Sequence, residues 1–340
     1  MEKKLYIITN ESIKTESNFF FCDNNDVKII SEGLNKNFES NLIARKSKTL
    51  KGKKINLKNI FIFSNILSFL IKIKKACKEK DSKFIVISIS PYIFFACIVL
   101  FFLRKKFLVY LRSDGYEEYR KIIGFIGPLF YHVMFSIISA KADLISCHLK
   151  LLKGKNGRVL KASRISEKWI ENKKKPNLEK IRLLYVGRIK IEKGIFSLIE
   201  IIEKLVIQVS LTIVGNQINE KTLLNRKNIT ILENVKDSSD LINIYDANNI
   251  FILPSYTEGY SCVVDEALAR GRPVIIFKDI SDIINENRKG VFIAERNSES
   301  LEKTIKHIME NYNIISELIS QNVLPTKKQY INDLKEALEK

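Results

Sequence analysis

The 340-residue sequence has few of the residues that usually mark a metal or catalytic site. Its five cysteines are far apart and include no Cys-x-x-Cys pair. This spacing argues against a zinc site and a disulfide framework, and it favours a reducing compartment. Only three histidines occur, and none belongs to a Ser-His-Asp pattern. We expect His132 and His148 to be structural.

Several motifs that bind nucleotides, metals or nucleic acids are absent. No Gly-x-Gly-x-x-Gly occurs, which counts against a nicotinamide-dependent enzyme, and no Walker loop occurs either. No Asp-x-Asp pair is present, so we predict that no divalent ion and no other cofactor is required. An RNA-reading aromatic motif and a helix-turn-helix signature are also missing, which argues against a nucleic-acid partner.

No signal peptide is visible, because residues 1–5 lead straight into a strand-like run. We therefore expect a cytoplasmic protein. A chain of 340 residues exceeds what one hydrophobic core usually holds, so two domains are expected. No internal repeat is evident.

Acidic residues are scarce in the first half of the chain. Residues 1–175 contain 35 Lys and Arg against 15 Asp and Glu, a net charge of +20, while the remainder has 22 against 23, a net charge of −1. The excess predicts an anionic partner for the first half, namely an anionic membrane surface, a lipid-pyrophosphate or polyanionic substrate, or nucleic acid. A lysine-rich composition with solvated charges is the alternative, although it should affect both halves.

The longest uncharged stretch is residues 84–103, twenty residues between Lys83 and Arg104. Its length would suit a transmembrane helix. We favour a division at Pro91 into a buried strand and a buried helix, because proline suits the first turn of a helix. Contact with one face of a membrane through this stretch is an alternative.

Strand-like and helix-like patterns alternate in both halves, which predicts an α/β protein with two doubly wound domains. The first domain is expected at 1–175, with a helix at about 318–340 returning to it, and the second at 178–316. In the first half we expect a strand at 4–9, a loop or short helix at 10–25 and a possible strand at 28–30. In the second half the apolar runs predict strands at 181–186, 209–214 and 229–232.

Two patterns in the second half point to a ligand site. Gly187 and Arg188 follow a predicted strand directly, and Lys193 lies where the next helix begins, so two cations and free backbone N–H groups could bind a diphosphate. Glu258 and Glu266 bracket the turn of a strand-turn-helix at 251–270, with seven residues between them. Carboxylates accept hydrogen bonds from hydroxyls, so this second pattern suits a sugar or ribose.

In order and spacing, these residues resemble family 4 of the retaining glycosyltransferases. The runs that carry the resemblance are Tyr-Val-Gly-Arg-Ile-Lys-Ile-Glu-Lys-Gly from 185 and Pro-Ser-Tyr-Thr-Glu-Gly-Tyr-Ser-Cys-Val-Val-Asp-Glu-Ala-Leu-Ala-Arg-Gly-Arg-Pro-Val from 254. The resemblance covers about residues 178–280. It implies the GT-B fold, in which two Rossmann-like doubly wound domains face each other across a cleft and the second binds a nucleotide-diphospho sugar.

The resemblance also implies roles for individual residues. Arg188 and Lys193 match the diphosphate-binding pair, Glu258 the carboxylate that contacts the transferred sugar, and Glu266 the one that holds the ribose. Further donor contacts, mostly from the backbone, are expected at Gly187, Gly215, Val235, Gly259, Tyr260 and Ser261. The first half departs from the family, with residues 9–12 in place of a glycine-rich loop and 112–115 where a histidine often stands. Asp114 there is a candidate for sugar or acceptor contact.

The sequence thus predicts a retaining glycosyltransferase that uses a nucleotide-diphospho sugar. The expected acceptor is a glycan, and we favour a lipid-linked oligosaccharide of bacterial surface polysaccharide synthesis, reached from the inner face of the membrane. A nucleotide-sugar epimerase or another enzyme of the same fold is the alternative, and epimerisation or hydrolysis of the donor without acceptor would favour it. A basic nucleic-acid-binding protein and an inactive protein of this fold are more distant alternatives.

Overall fold

The computed structural model describes residues 3–17, 19–22, 24–47, 52–215, 228–233, 235, 237–258, 260–283 and 288–340. Two compact units are present, Met1–Ala162 with Lys328–Lys340, and Ser163–Lys327. The predicted domain bounds differ from these, because residues 163–175 and 318–327 belong to the second unit.

The segment from 163 to 175 has the composition of a linker, but buried side chains of the second unit fix it. Trp169 is buried and packs edge-on against Tyr245, with ring centroids 5.4 Å apart. The buried guanidinium of Arg270 donates to the carbonyls of Trp169 and Glu171 at 3.0 and 2.8 Å. A lysine run in the sequence does not reveal such contacts, so the boundary was placed too late.

The first unit is built on a nine-stranded sheet. Its strands are β1 (Lys4–Glu16), β2 (Phe19–Cys22), β3 (Glu39–Lys46), β4 (Lys53–Ile55), β5 (Asn59–Phe63), β6 (Lys83–Ile87), β7 (Leu108–Leu111), β8 (Asp143–Ser146) and β9 (Arg158–Val159). Its helices are α1 (Asn25–Leu34), α2 (Ile66–Cys77), α3 (Pro91–Phe102), α4 (Gly115–Ile123) and α5 (Gly127–Ser139). Seven strands are parallel in the order β5-β3-β1-β6-β7-β8-β9, and β2 and β4 add an antiparallel extension beside the end of β1.

Strand β1 continues well beyond the predicted 4–9, so the expectation of a loop or short helix at 10–25 is wrong. Its pairing with β3 shifts register between Ile8 and Ser12, which marks a bulge. Beyond the bulge, residues 13–16 pair antiparallel with β2. The hairpin is partly exposed and therefore carries many polar residues, which gave it the composition of a loop.

Residues 28–30 form part of helix α1, so the strand predicted there is also wrong. The side chain of Asn24 accepts hydrogen bonds from the backbone N–H groups of Asp26 and Val27, which caps the helix. Val27, Ile30 and Leu34 are fully buried at helical spacing. A three-residue apolar run fits a helix or a strand, and the cap decides between them.

The division of residues 84–103 at Pro91 is confirmed, but the expectation of a buried helix is wrong, because Phe95 and Phe102 are 48% and 75% exposed. Strand β6 ends at Ile87, and α3 begins at Pro91 with the Ser90 hydroxyl accepting a hydrogen bond from the N–H of Ile93. Proline fits this first turn because its missing N–H would have had no partner in the helix.

In the described part of the chain, one helical segment, Gly115–Ser139, is long and apolar enough by length and composition to cross a membrane. It consists of α4 and α5, joined by a short turn at Gly124–Ile126. Ring contacts of Tyr119 with Tyr131 and of Tyr116 with Phe135 indicate that the two helices pack antiparallel as a hairpin. The 13 residues of α5 extend about 20 Å, less than the ~30 Å hydrocarbon core of a bilayer.

The second unit is built on a six-stranded parallel sheet. Its strands are β10 (Ile181–Val186), β11 (Val209–Val214), β12 (Ile229–Leu232), β13 (Ile250–Leu253), β14 (Val274–Phe277) and β15 (Val291–Ala294). Its helices are α6 (Glu167–Ile170), α7 (Ile195–Ile202), α8 (Ser238–Ala247), α9 (Cys262–Ala269), α10 (Ser298–Glu310) and α11 (Tyr312–Ser320), and α12 (Lys327–Glu339) returns to the first unit. The strand order β12-β11-β10-β13-β14-β15 reverses between β10 and β13, the point where open α/β sheets bind ligands.

Candidate functional site

Two loops of the second unit leave neighbouring strands at this reversal of strand order. Residues 187–194 follow β10, and residues 254–261 follow β13, which pairs directly with β10. The loops are joined by a hydrogen bond from the N–H of Tyr256 to the carbonyl of Glu192, at 3.1 Å. The two sequence patterns, about 70 residues apart in the chain, therefore lie side by side in the fold.

At Gly194 the backbone of the first loop lies close to the backbone of the second. Its φ of +67° is a conformation that L side chains rarely adopt, and a Cβ at this position would lie 1.9 Å from the carbonyl oxygen of Pro254. The residue immediately precedes helix α7, whose first N–H groups have no partner within the helix. A side chain here would push the two loops apart.

Lys193 and Glu258 form a largely buried ion pair between the loops. The Lys193 Nζ lies 2.6 Å from Glu258 Oε1, and the two side chains are only 16% and 10% exposed. The hydroxyl of Ser255, fully buried, donates to the same carboxylate oxygen at 2.6 Å. Burial makes the pair interdependent, because removing one partner would leave the other charge without compensation in a low-dielectric setting.

Gly187 and Gly215 leave the carboxyl ends of β10 and β11 without side chains. The N–H of Gly187 donates to the carbonyl of Val214 at 2.9 Å, so the sheet pairing continues for one residue beyond β10. A Cβ on Gly215 would lie 2.5 Å from the carbonyl oxygen of Gly187. A Cβ on Gly187 would lie 2.6 Å from the Tyr185 hydroxyl, so glycine at both positions allows the ends of the two strands to pack closely. Val235, half-buried, follows β12 near the same end of the sheet.

Arg188 differs from Lys193 in being exposed. Its backbone carbonyl accepts a hydrogen bond at 2.8 Å from the hydroxyl of Tyr185, a fully buried side chain of β10. Among the described residues its guanidinium has no hydrogen-bond partner. Tyr185 thus fixes the backbone of the loop at Arg188, while the Arg188 guanidinium stays available to an anionic ligand.

Glu266 lies within α9 and is 3% exposed. The hydroxyl of Tyr245, on α8, donates to its Oε2 at 3.1 Å. Burial raises the pKa of Tyr245, and the Glu266 carboxylate raises this pKa further. The tyrosine therefore remains a hydrogen-bond donor at neutral pH and orients the carboxylate.

Tyr260 was predicted to contribute only its backbone N–H group. In the structure its side chain also forms hydrogen bonds, which fix the residue in place. Its hydroxyl donates to Asp265 Oδ2 at 2.6 Å, and Arg288 donates to the Tyr260 oxygen at 3.2 Å. Arg288 also pairs with the carboxylate of Asp265, which is 1% exposed in the first turn of α9. This cluster holds the 254–261 loop against the start of α9.

The remaining predicted residues differ in how they relate to this site. Ser261 immediately precedes α9, and its carbonyl accepts a hydrogen bond from the N–H of Val264 at 3.1 Å. Gly259 lies outside the described residues. Asp114 belongs to the first unit, where it caps α4 by accepting from the N–H of Tyr116 at 3.0 Å and pairs with Lys153 at 2.6 Å. The alternative of an ordinary Asp-Gly turn therefore has a structural basis.

Three contributing residues were missed by sequence reasoning: Ser255, Tyr245 and Arg288. Ser255 lies within the motif around Glu258, so its position three residues earlier was a usable signal. Tyr245 and Arg288 lie 21 residues before Glu266 and 28 residues after Tyr260, respectively, and no local pattern indicates those contacts.

The region that contains these two loops matches a known protein family. Residues 166–323 match the model of the family described as Glycosyl transferases group 1. The capsular polysaccharide biosynthesis glycosyltransferase CapM of Staphylococcus aureus is 33% identical over 146 residues, 36% of this chain and 38% of that protein. The putative teichuronic acid biosynthesis glycosyltransferase TuaC of Bacillus subtilis (strain 168) is 39% identical over 92 residues, 27% of this chain and 23% of that protein. The matches thus span about two fifths or less of these relatives.

The fold likeness covers nearly the whole chain. The structure of Anabaena Alr3699/HepE in complex with UDP and glucose superposes with a TM-score of 0.70 at 13% identity, covering 98% of this chain and 99% of that one. The predicted GT-B fold is confirmed, while the narrower assignment to family 4 stays a prediction. Residues 166–323 are therefore similar to the Glycosyl transferases group 1 family, within a chain that has the GT-B fold.

Proposed function

We propose that this protein is a retaining glycosyltransferase of family 4 that transfers a sugar from a nucleotide-diphospho donor to a glycan acceptor. The main support is the pairing of two loops at the reversal of strand order, one with Arg188 and Lys193 and the other with Glu258. Cations and carboxylates at adjacent strand ends suit the two parts of such a donor, an anionic diphosphate and a hydroxyl-rich sugar.

The cationic loop binds the diphosphate in this proposal. The exposed guanidinium of Arg188 and the N–H groups at the start of α7 bind phosphate oxygens. Lys193 has three donors, so it can bind a phosphate oxygen and keep its bond to Glu258. As the bond from the sugar to the β-phosphate breaks, these groups stabilise the growing negative charge on the leaving diphosphate.

The acidic loop binds the two sugar rings. Glu258, oriented by Ser255 and Lys193, accepts hydrogen bonds from hydroxyls of the transferred sugar. Glu266, oriented by Tyr245, holds the ribose hydroxyls. Backbone groups complete the donor site, at Gly187, Gly215, Val235, Gly259, Tyr260 and Ser261.

The acceptor hydroxyl attacks the anomeric carbon from the side on which the diphosphate leaves. Its oxygen forms the new glycosidic bond, its proton goes to the departing phosphate, and the anomeric configuration is retained. We include no divalent ion, because the sequence has no Asp-x-Asp pair and the leaving group is provided with two cationic side chains.

A lipid-linked oligosaccharide of bacterial surface polysaccharide synthesis is the acceptor we propose, reached by a cytoplasmic protein attached peripherally to an anionic membrane. The net charge of +20 in residues 1–175 supports an anionic partner. CapM and TuaC, the relatives named above, are named for capsular polysaccharide and teichuronic acid biosynthesis, which supports this class of product. Asp114 is our candidate for contact with the acceptor.

The direct test incubates the purified protein with UDP-, GDP-, ADP- and TDP-sugars and a bacterial lipid-linked oligosaccharide extract. We expect release of nucleoside diphosphate that requires acceptor, a product with the donor's anomeric configuration by NMR, and less than a twofold change with EDTA. An inverted product would contradict the retaining mechanism. Epimerised or hydrolysed donor at the same rate without acceptor would favour the alternative enzyme of this fold.

A further inference from the structure

Helices α4 and α5 carry an exposed apolar surface that the donor site does not explain. Large apolar side chains are exposed around the turn of the hairpin and along the outer side of α5. We call this set the apolar hairpin surface and define it by Ile122, Phe125, Ile126, Leu129, Val133 and Ile137. Phe125, at the turn, is 89% exposed.

The two sides of α5 are both apolar, which is unusual for a helix at a protein surface. Tyr131, Phe135 and Ile138 are buried on its inner side. Leu129, Val133 and Ile137 repeat every four residues on the outer side and are 65%, 50% and 45% exposed. A surface helix in water normally carries polar residues on that side, so the outer side of α5 is suited to an apolar environment.

The turn of the hairpin projects its apolar residues outward. Gly124 has a φ of +72°, and no atom lies within 4 Å of where its Cβ would be. Gly127 packs closely against α4, since a Cβ there would lie 2.0 Å from the carbonyl oxygen of Tyr119. The hairpin is therefore tightly packed up to its last turn, and Phe125 extends from a fixed base rather than into a groove.

The charges nearest the turn of the hairpin are positive, although Arg120 also pairs at 3.0 Å with Glu117, three residues earlier in α4. Residues 119–142 contain no acidic residue, and Arg120 and Lys121 are exposed next to the turn. At the other end of α5 the Lys141 Nζ lies 5.4 Å from the ring centre of Phe101, so the end of α3 adjoins the same surface. Phe102, 75% exposed, extends the apolar area there and is followed by Arg104.

We propose that the apolar hairpin surface enters the interfacial layer of a membrane that contains anionic phospholipids, with Phe125 deepest and Arg120 and Lys121 at the headgroups. An apolar face bordered by cations is the pattern of elements that lie in a membrane interface. The projecting shape and the excess of cations over residues 119–142 favour lipid over a second protein. The proposal places membrane contact mainly at residues 115–139, whereas the alternative considered from the sequence placed it at 84–103. It rests on the proposed function only in giving the attachment a lipid-linked acceptor to reach.

Insertion can be measured with a single new fluorophore. The only tryptophan, Trp169, is 3% exposed in the second unit, so Phe125→Trp adds a reporter over a constant background. With vesicles of phosphatidylcholine and phosphatidylglycerol, we expect a blue shift and quenching by brominated acyl chains in the variant but not in the wild-type protein. Unchanged fluorescence and no quenching would overturn the proposal.

Sedimentation with the same vesicles tests the apolar contribution. Phe125→Ser combined with Ile126→Ser should lower the partition coefficient about 100-fold, on the basis of roughly tenfold for each large apolar side chain removed from contact. The matched control is Val206→Ser with Val323→Ser, which removes two side chains that are 92% and 95% exposed in the second unit. We expect the control variant to bind like the wild type, and equal loss in both would contradict the assignment to the hairpin.

The charge contribution is tested by replacing Arg120 and Lys121 with serine. Each change should weaken binding about fivefold on anionic vesicles and have no effect on neutral vesicles. Concentration-dependent self-association that is lost in the Phe125→Ser, Ile126→Ser variant without any vesicle binding would instead make this an interface between copies, and would overturn the proposal.

Donor-dependent thermal shifts and transfer to a water-soluble acceptor serve as separate readouts in every variant. Normal donor readouts with lost vesicle binding support the hairpin assignment. Normal vesicle binding in a wild-type protein that transfers no sugar would leave the membrane contact intact and contradict the proposed function alone.

Discussion

The first strands of the two sheets end differently, and this difference shows what a donor site requires. In the second unit β10 ends at Val186 and gives way to Gly187 and a short loop closed by Gly194. In the first unit β1 continues through a bulge to Glu16 and pairs with β2, with no glycine along it. The same place in a parallel sheet thus holds a short loop with Arg188 and Lys193 in one unit and a paired strand in the other.

The charged groups differ in a similar way. The second unit has almost no net charge over its part of the sequence, but it places Lys193 and Glu258 in a largely buried pair at the strand ends. The first unit holds the excess positive charge of the chain, and its cations beside the hairpin are exposed. Precise binding therefore belongs to the second unit, and long-range attraction of an anionic partner to the first.

Variants of the Lys193–Glu258 ion pair test most strongly whether precise donor binding belongs to the second unit. Lys193→Ala and Glu258→Ala should each lower sugar transfer about 10²–10³-fold, the size of effect seen when one group that stabilises developing charge is removed. Steady-state kinetics with saturating acceptor measures the loss. Lys204→Ala and Glu200→Ala, exposed residues of the same unit, are the matched controls and should change the rate less than twofold. Near-normal rates in the first two variants would show that the site lies elsewhere.

Gly194 tests the close approach of the two loops. Gly194→Ala places a Cβ 1.9 Å from the Pro254 carbonyl, whereas Gly271→Ala has a similar φ of +69° and no neighbour within 4 Å. We expect about 1 kcal/mol of destabilisation for Gly271→Ala, from the positive φ alone, and about 3 kcal/mol or more for Gly194→Ala. Urea denaturation of both variants measures the difference. Equal costs would mean that the loops separate freely.

Asp114 tests whether the first unit contributes a polar contact to the acceptor. Asp114→Asn keeps a good helix cap and removes the charge, so the free energy of unfolding should change by less than about 0.5 kcal/mol. Loss of one charge-assisted hydrogen bond should raise the KM for the acceptor about tenfold and leave donor affinity unchanged. An unchanged KM would show that Asp114 caps α4 but does not contact the acceptor.

Tyr245 tests the role of Glu266 with a smaller expected effect. Tyr245→Phe removes one hydrogen bond to the carboxylate and should weaken donor binding about fivefold. Tyr312→Phe is the control, since its buried hydroxyl donates to the carbonyl of Asn249 instead. Both variants should lose about 1 kcal/mol of stability. Titration calorimetry that finds the same donor affinity in both would remove Tyr245 as an orienting residue.

The second unit could be predicted well because its signals are local. Strands β10, β11 and β12 have the bounds that the apolar runs at 181–186, 209–214 and 229–232 predict, since each run is bounded by polar or glycine residues. The order of Arg188, Lys193 and Glu258 placed them on two strand ends, and the pairing of β10 with β13 then brings these together.

The first unit was harder because its signals depend on distant partners. The bulged β1 and its exposed hairpin have a loop-like composition, and α1 is defined by a cap that a short apolar run does not reveal. The unit boundary depends on Arg270 binding carbonyls about 100 residues earlier in the chain. The apolar hairpin surface was also missed, because sequence alone does not tell which side of α5 is covered.

The most direct test of the donor site is the thermal shift of the protein with a panel of nucleotide-diphospho sugars, measured for the wild type and for Arg188→Ala combined with Lys193→Ala. We expect at least one donor, at about 100 times its Kd, to stabilise the wild type by about 2.7 kcal/mol. The shift should disappear in the double variant. An equal shift in both proteins, or no shift with any donor, would contradict a nucleotide-sugar site formed by the loops after β10 and β13.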